Sequence, residues 1–381
     1  MRTIAGRDPR TGRPIEVTIE DGRISSIRDG DETETAWLSA GLVDLQINGY
    51  AGCDLNAEGL TPETVVELTR RVLATGVTTF LATLISAPEK RIVEVLAAIA
   101  EARSRDSVAE HMVAGVHMEG PHLSGQDGSR GAHSREFLRP PSLEEFDRWQ
   151  ASSGGLVKMV TVSPHFSEAP PYIAGLRARG VHVSIGHTHC SAEEIRAAAA
   201  AGAELSTHLG NGLADPLPRH PNLIWAQLAE DRLTAMLIAD GHHLPDDTLT
   251  VMLRAKGLER SILVSDAVAL AGMPPGRYRA AVGGDVELSA DGSLGLAGTR
   301  FLAGATKPLK SGVAQVMRVM GTPLWDALRL ATANPGRFVG GRGILRVGAD
   351  ADLFRFHIGG SGELDVESTM IQGQEEQSLV G

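Results

Sequence analysis

Three short segments of the chain combine a carboxylate with several imidazoles, and each comes at the end of an apolar, β-branched run. They are residues 117–122 (HMEGPH), 186–189 (GHTH) and 207–211 (THLGN). One carboxylate and two histidines from separate strands form a common ligand set for catalytic Zn²⁺, which keeps one position open for water. A fourth run ends at Asp266, whose carboxylate could move protons beside such a metal. This combination indicates metal-assisted hydrolysis.

These side chains need a scaffold that brings distant strand ends together. Between about residues 41 and 337, strand-like runs alternate with helical stretches, which predicts parallel strands in βα units. The strand-like runs are Leu42–Asn48, Val77–Leu84, Val113–Met118, Val157–Val162, Val181–Ile185, Glu204–His208, Thr234–Ala239 and Ser261–Ser265. The helical stretches include Pro62–Ala74, Ile92–Ala102, Ala192–Ala201, Leu309–Met320 and Leu324–Thr332, and a hairpin-like insertion covers Tyr278–Leu296. Eight such units predict an α/β fold of the (β/α)8 TIM barrel type.

Polar residues that can do chemistry follow most of the predicted strands. They are Gln46, Asn48, Glu119, His165, His187, His208, His242, His243 and Asp266. In a TIM barrel the active site lies at the carboxyl ends of the strands, so these residues would meet on one rim. A single polar residue there would carry no weight, but a set in phase with the strand count is hard to obtain by chance.

Each candidate also has a structural explanation that must be weighed. An isolated Glu119 is explained equally well as a capping carboxylate, and Asp266 could cap the turn that follows it, although the barrel context favours catalysis there. A lone histidine after a strand is more often a hydrogen-bonded structural residue than a ligand. The case for catalysis therefore rests on the set and not on any one member.

Both chain ends consist of short strands and turns. Residues 14–20 and 23–27 flank Asp21-Gly22, a strong hairpin signal, and residues 348–356 have the pattern of a turn entering a strand. Neither end has enough strands for a stable sheet alone. We therefore predict that residues 1–40 and 338–381 pair into one small β domain beside a barrel formed by residues 41–337.

The composition is that of an ordinary globular protein. Of 381 residues, 42% are hydrophobic and 22% charged, and the net charge of -11 argues against a nucleic-acid surface. Two cysteines are too few for a disulfide framework and fit a reducing compartment. No apolar run reaches membrane-spanning length and no charged-then-apolar leader follows Met1, so we predict a cytoplasmic protein without membrane or nucleic-acid partners.

The chain resembles the N-acetylglucosamine-6-phosphate deacetylases of the amidohydrolase superfamily. Matching segments occur in family order across nearly the whole chain. They are residues 41–49 (GLVDLQING), 117–121 (HMEGP), 131–133 (GAH), 186–188 (GHT), 207–211 (THLGN), 238–243 (IADGHH), 264–267 (VSDA), 302–304 (LAG) and 331–335 (ATANP). The resemblance also implies that the two chain ends form a small β-sandwich.

The resemblance implies a role for each matching residue. Glu119, His187 and His208 would bind the metal, Asp266 would be the acid/base, and His133 would support the oxyanion. Substrate binding would fall to His243 at the sugar hydroxyls and to Asn211, Gly212 and Arg219 at the phosphate. In such dimers that arginine can come from the neighbouring subunit, which implies a homodimer. Alone, Arg219 would be better explained as a solvated loop residue.

Gln46 and Asn48 stand where many amidohydrolases carry His-x-His for a second metal. Neutral amides are poor Zn²⁺ ligands beside imidazole and carboxylate, and part of the deacetylase family shares this Gln-x-Asn pattern and uses one metal. We predict one divalent metal per subunit, with Zn²⁺ favoured over Fe²⁺, Co²⁺ or Mn²⁺. We also expect the side chains of Gln46 and Asn48 to bind substrate.

The implied activity is hydrolysis of N-acetylglucosamine 6-phosphate to glucosamine 6-phosphate and acetate. His189, His242 and Lys307 depart from the family pattern, which leaves open a different N-acetyl amino sugar, phosphorylated or not, or another N-acyl substrate. A third alternative is a catalytically dead barrel that senses sugar phosphates. The complete set of Glu119, His187, His208 and Asp266 disfavours that alternative.

Overall fold

The computed structural model describes residues 1–280, 284–299 and 302–375, and its centre is an eight-stranded parallel barrel sheet. Each strand pairs with the next one along the chain. The barrel strands are Leu42–Ile47, Val77–Ile85, Val113–Glu119, Val157–Val162, His182–Ile185, Leu205–Ser206, Thr234–Leu237 and Ser261–Leu263. The predicted eight strands are confirmed, because strands buried on both faces read as continuous apolar runs.

The barrel closes between its first and last strands through a short seam. A parallel bridge joins Ile47 to Ala267. Deeper in the barrel, the backbone N–H of Ser265 donates to both carboxylate oxygens of Asp44 over 3.2 and 3.3 Å. The buried side chain of Asp44 thus supplies hydrogen bonds where the two strands have no regular ladder in the described structure. The seam also places Asp266 beside Gln46 and Asn48.

Helices cover the outside of the barrel. The helices are Pro62–Leu73, Glu89–Arg105, Ser107–Met112, Leu143–Ser153, Ala169–Ala178, Ala192–Ala201, Leu223–Ala229, Asp246–Lys256, Leu309–Met320, Leu324–Arg329 and Ala333–Gly336. Their ends follow local chemistry: Ser191 and Glu194, for example, form a capping box in which each side chain accepts from the other's backbone N–H. The predicted helices are confirmed, although the second extends beyond Ile92–Ala102 and the last stops before Thr332.

Strands from both chain ends share one seven-stranded sheet. They are Arg2–Arg7, Pro14–Glu20, Arg23–Asp29, Trp37–Ala40, Leu353–Ile358, Leu364–Ile371 and Gln374–Glu375. Leu353–Ile358 pairs antiparallel with Trp37–Ala40, which joins the two ends. The sheet folds over its own apolar core, which includes Val17 and Met370, and this is the predicted small β-sandwich. The exact boundaries at 40/41 and 337/338 stay a prediction, and residues 376–381 lie outside the described residues.

A three-stranded antiparallel sheet follows the eighth barrel strand. It consists of Gly276–Ala280, Gly284–Leu288 and Leu294–Leu296, as the predicted insertion requires, with residues 281–283 of that prediction outside the described residues. A small apolar cluster that includes Val268, Val286 and Ala303 fixes it to the barrel. Among the described residues, no helix is long and apolar enough to cross a membrane.

Candidate active site

The polar residues converge at the carboxyl ends of the barrel strands because the chain turns sharply there. His187, His208 and Asp266 have positive φ angles of 46°, 29° and 49°, in the left-handed region that side-chain-bearing residues rarely adopt. Such conformations cost about 1–3 kcal/mol each and are found mostly at functional sites, where the surroundings enforce them. Here the turn aims each side chain into the barrel mouth instead of along the sheet.

The carboxylate and two imidazoles form a compact triangle of ligand atoms. Glu119 Oε1 lies 2.8 Å from His208 Nε2 and 3.4 Å from His187 Nε2, and the two Nε2 atoms are 3.1 Å apart. Ligands about 2.0–2.1 Å from a tetrahedral metal are about 3.3 Å from one another. All three side chains are buried. The donor set and its spacing therefore fit one divalent metal.

The ring of His187 is held in the orientation and tautomer that a metal ligand needs. Its Nδ1 lies 3.0 Å from the carbonyl oxygen of Ser129, which can only accept, so Nδ1 carries the proton and Nε2 keeps a free lone pair. Glycines flank the ring on both sides. A Cβ at Gly131 or Gly212 would come within 3.0 or 2.7 Å of ring atoms. A side chain at Gly212 would therefore displace the ring, and one at Gly131 would crowd it.

Asp266 is held by the two amides of the first barrel strand. Its Oδ1 accepts from Gln46 Nε2 over 3.0 Å and from Asn48 Nδ2 over 2.8 Å. Gln46 Nε2 also lies 2.8 Å from Glu119 Oε1 and so links the acid to the ligand triangle. Burial and the charge of Glu119 raise the pKa of Asp266 to about 7. A buried carboxyl group beside the ligand triangle is placed to transfer protons.

A backbone contact fixes the tautomer of His133. The backbone N–H of Ser86 donates to its Nδ1 over 3.4 Å, and Ser86 Oγ lies 3.0 Å from the same atom. A nitrogen that accepts from a backbone N–H carries no proton, so Nε2 does. Burial lowers the pKa of His133 to about 3, which keeps the ring neutral. The ring centre lies 4.4 Å from that of His187, beside the ligand triangle.

A cavity of about 230 Å³ brings most of the predicted residues together. Its lining includes Asn48, Glu119, His133, His187, His208, Asn211, Gly212, His243 and Asp266. Gln46 is outside the described lining of the cavity, but its Nε2 donates to Glu119 and Asp266, which line it. His243 is anchored by Asp240, whose Oδ2 lies 2.7 Å from its Nδ1. No sequence pattern singles out Ser86 or Ser129, since a serine in a loop is too common to stand out.

The comparisons with known proteins agree with this geometry. The amidohydrolase family profile matches residues 37–375. N-acetylglucosamine-6-phosphate deacetylase from Vibrio furnissii is 30% identical over 370 residues, covering 94% of this chain and 90% of that protein. N-acetylgalactosamine-6-phosphate deacetylase from Escherichia coli O157:H7 is 29% identical over 366 residues and covers 94% of both chains.

A solved structure extends the likeness to the whole fold. It is a variant of the Mycobacterium smegmatis N-acetyl-D-glucosamine-6-phosphate deacetylase in complex with N-acetyl-D-glucosamine-6-phosphate, with 30% identity and a TM-score of 0.84. The match covers 95% of this chain and 94% of that chain. This chain belongs to the N-acetylglucosamine-6-phosphate deacetylase family of amidohydrolases. It is accordingly a metal-dependent amide hydrolase.

Arg219, the arginine that matches the deacetylase family's phosphate contact, lies away from the cavity of its own chain. It is exposed, and it does not border the cavity in the described part of the chain. Its backbone carbonyl accepts from Asn222 Nδ2 over 3.4 Å. A single chain therefore does not bring Arg219 to the other predicted phosphate contacts.

The three departures from the deacetylase pattern lie outside the ligand triangle. His189 Nδ1 lies 2.6 Å from Ser124 Oγ, and its ring centre lies 4.5 Å from that of His165. His242 Nε2 lies 3.1 Å from the carbonyl oxygen of Asp291, in the turn before the last strand of the insertion. Lys307 lies against the next residue of that turn, Gly292. His242 and Lys307 therefore contact the insertion.

Proposed function

We propose that this chain hydrolyses the N-acetyl group of N-acetylglucosamine 6-phosphate to give glucosamine 6-phosphate and acetate. The observation that carries the proposal is the convergence of Glu119, His187 and His208 with Asp266 in one cavity. Relatives that cover nearly the whole chain bear this activity in their names. A dead sensor would not need a proton-transfer group beside a complete ligand set.

We assign the metal to Glu119, His187 and His208, and propose a single Zn²⁺ because imidazole and carboxylate donors suit that ion. When bound there, a divalent metal polarises the amide carbonyl and lowers the pKa of a water molecule. Gln46 and Asn48, as neutral amides bonded to Asp266, orient that acid. We retain them as substrate-binding candidates through their buried side-chain oxygens, which have no hydrogen-bond partner among the described residues.

The chain's own groups then carry out the proton transfers. Asp266 accepts the proton of the attacking water, and His133 donates through Nε2 to the carbonyl oxygen as negative charge develops on it. As the C–N bond breaks, Asp266 returns the proton to the sugar nitrogen.

We assign the sugar and its phosphate to cavity residues outside the ligand triangle. His243 faces the sugar hydroxyls, and Asn211 with the backbone of Gly212 approaches the phosphate. Because Arg219 is exposed, we propose that it completes the phosphate site of a partner subunit in a cytoplasmic homodimer. Trp225, 50% exposed on the helix that follows this loop, supplies apolar area for such an interface.

Acetate release from N-acetylglucosamine 6-phosphate and from unphosphorylated N-acetylglucosamine, with metal content measured on the same sample, tests the proposal. N-acetylgalactosamine 6-phosphate belongs in the same assay because a relative with 29% identity is named for that sugar. We expect fast release from the glucosamine phosphate and about one metal per chain. Metal-loaded protein that is inactive on N-acetylglucosamine 6-phosphate would overturn the proposal, and activity on N-acetylgalactosamine 6-phosphate alone would reassign the sugar.

Arg219→Ala tests the phosphate assignment, because it should raise KM for the phosphorylated substrate and leave the unphosphorylated one unchanged. An equal effect on both substrates would contradict the assignment. Light scattering of the same variant reports whether the dimer persists.

A further inference from the structure

A second and larger cavity lies beside the active-site cavity. Its volume is about 620 Å³, against about 230 Å³ for the active-site cavity. The two cavities share four lining residues, which are Ile85, Gly128, Gly131 and Ala132. Small-molecule sites usually enclose about 300–1,000 Å³, so the larger cavity has room for a substantial group.

Part of the shared wall adjoins His133. Ala132 immediately precedes His133, which we propose donates to the amide carbonyl. Ser86, which bonds to Nδ1 of His133, lines the larger cavity. Asn211, Gly212 and His243, the proposed sugar and phosphate contacts, line the smaller cavity and are absent from the described lining of the larger one. An N-acyl group whose carbonyl oxygen accepts from His133 would have its acyl carbons within reach of this wall.

The lining of the larger cavity favours an aliphatic occupant. Its apolar walls are formed by Leu84, Ile92, Val95, Phe137 and Leu296. Its charged groups are largely engaged with the protein itself. Arg91 donates to the carbonyl oxygen of Asn56, and the terminal nitrogens of Arg130 bond to His133 O over 2.7 Å and to Asp127 Oδ1 over 3.3 Å. The cavity would therefore bind a ligand mainly through apolar contacts.

We propose that the larger cavity is an acyl pocket, and that the enzyme also hydrolyses amino-sugar phosphates whose N-acyl group is a straight aliphatic chain longer than acetyl. This inference rests on the proposed function. The chemistry is unchanged: water oxygen bonds to the carbonyl carbon, the C–N bond breaks and the nitrogen takes a proton. The products are the amino sugar phosphate and a longer carboxylate.

A chain-length series on the metal-loaded, full-length protein tests the pocket. The substrates are N-acetyl, N-propanoyl, N-butanoyl and N-hexanoyl glucosamine 6-phosphate. Each buried methylene favours binding about fourfold, so we expect kcat/KM for the butanoyl and hexanoyl compounds to equal or exceed that for acetyl. Normal acetyl turnover with butanoyl and hexanoyl kcat/KM values below the acetyl value would overturn the inference and leave the proposed function standing. If acetyl is not hydrolysed, the proposed function fails.

Two substitutions that fill the larger cavity sharpen the test. Val95→Phe and Ala87→Phe add bulk at residues that line it and do not line the active-site cavity. We expect each to lower hexanoyl kcat/KM at least tenfold and to keep acetyl kcat/KM within twofold. Ala97→Phe is the matched control, since Ala97 is exposed on the helix that carries Val95. Equal losses for all chain lengths, in folded variants, would overturn the pocket.

Discussion

The backbone N–H of Ser86 donates to Nδ1 of His133, and this one contact decides which ring nitrogen carries the proton. Since Nδ1 must accept, Nε2 is the donor. The tautomer is enforced by backbone, so a side-chain substitution at residue 86 does not remove it. His133 is thereby preorganised to stabilise negative charge, which is the condition for a strong electrostatic contribution to catalysis.

Replacing His133 by alanine should lower kcat about 10²–10³-fold, the usual cost of removing one oxyanion donor. Ligand atoms of Glu119, His133 and His187 lie within 4.8 Å of one another, so geometry alone would also admit His133 as a metal ligand. Metal analysis of His133→Ala separates the two roles. We expect the metal content of wild type, whereas loss of the metal would reassign His133 to the ligand set.

Ser86→Ala provides the matched control for that experiment. It removes the hydroxyl contact to His133 Nδ1 and keeps the backbone N–H. We expect a kcat loss of less than about tenfold, since one neutral hydrogen bond contributes about 0.5–1.5 kcal/mol. ¹⁵N NMR of the ring nitrogens should still report the Nε2–H tautomer. A switch to the Nδ1–H form would show that the hydroxyl, and not the backbone, sets the proton.

Asp266→Asn should abolish most turnover without disturbing the metal site. Asparagine keeps an oxygen that can accept from Gln46 and Asn48, but it cannot take a proton from water, so we expect kcat to fall at least 10²-fold. Metal content and thermal stability should match wild type. A kcat close to wild type would defeat the assignment of Asp266 as the acid/base.

The barrel and the convergence of its polar residues could be predicted because both depend on local pattern. The run that ends at Glu119 is apolar, and Gly120-Pro121 stops it, so strand and strand end are visible in sequence. The supports of the site depend on tertiary contacts instead. Ser86 follows one strand and His133 lies in a loop 47 residues later, and no spacing rule links them.

The surroundings of Arg219 and His242 also could not be predicted from the sequence. The family resemblance implies a phosphate contact for Arg219, but the fold of one chain leaves it exposed, so the proposed role requires a partner subunit. His242 stands next to the proposed sugar contact His243, and sequence alone left its role open. In the structure, Nε2 of His242 contacts the carbonyl oxygen of Asp291, so the ring faces the insertion. His242 and His243 are adjacent in sequence but face different parts of the molecule, and only the structure shows their side-chain directions.

Lys256 should contribute to stability without affecting catalysis. Its buried Nζ donates to the carbonyl oxygens of Gln227 and Glu230 over 2.8 and 2.7 Å, at the end of the helix Leu223–Ala229. Lys256→Met leaves two carbonyls without this donor, so we expect about 2–3 kcal/mol of destabilisation in urea titrations. Lys90→Met is the control: Lys90 is exposed, and its ion pair with Glu94 should be worth less than about 1 kcal/mol. Equal effects of both variants would contradict the prediction.

Asp44 should make the stability of the fold depend on pH. Burial raises its pKa from 3.8 to about 7, against the opposing hydrogen bonds from Ser265. A carboxyl whose folded pKa is raised stabilises the fold fully below pH 4, and this stabilisation is lost as pH rises through 7. The loss is at most on the order of 4 kcal/mol. Asp44→Asn keeps an acceptor for Ser265 but does not titrate, so the free energy of unfolding should vary less between pH 4 and 7 than in wild type. Parallel pH profiles for the two proteins would mean that Asp44 keeps an ordinary pKa in the barrel seam.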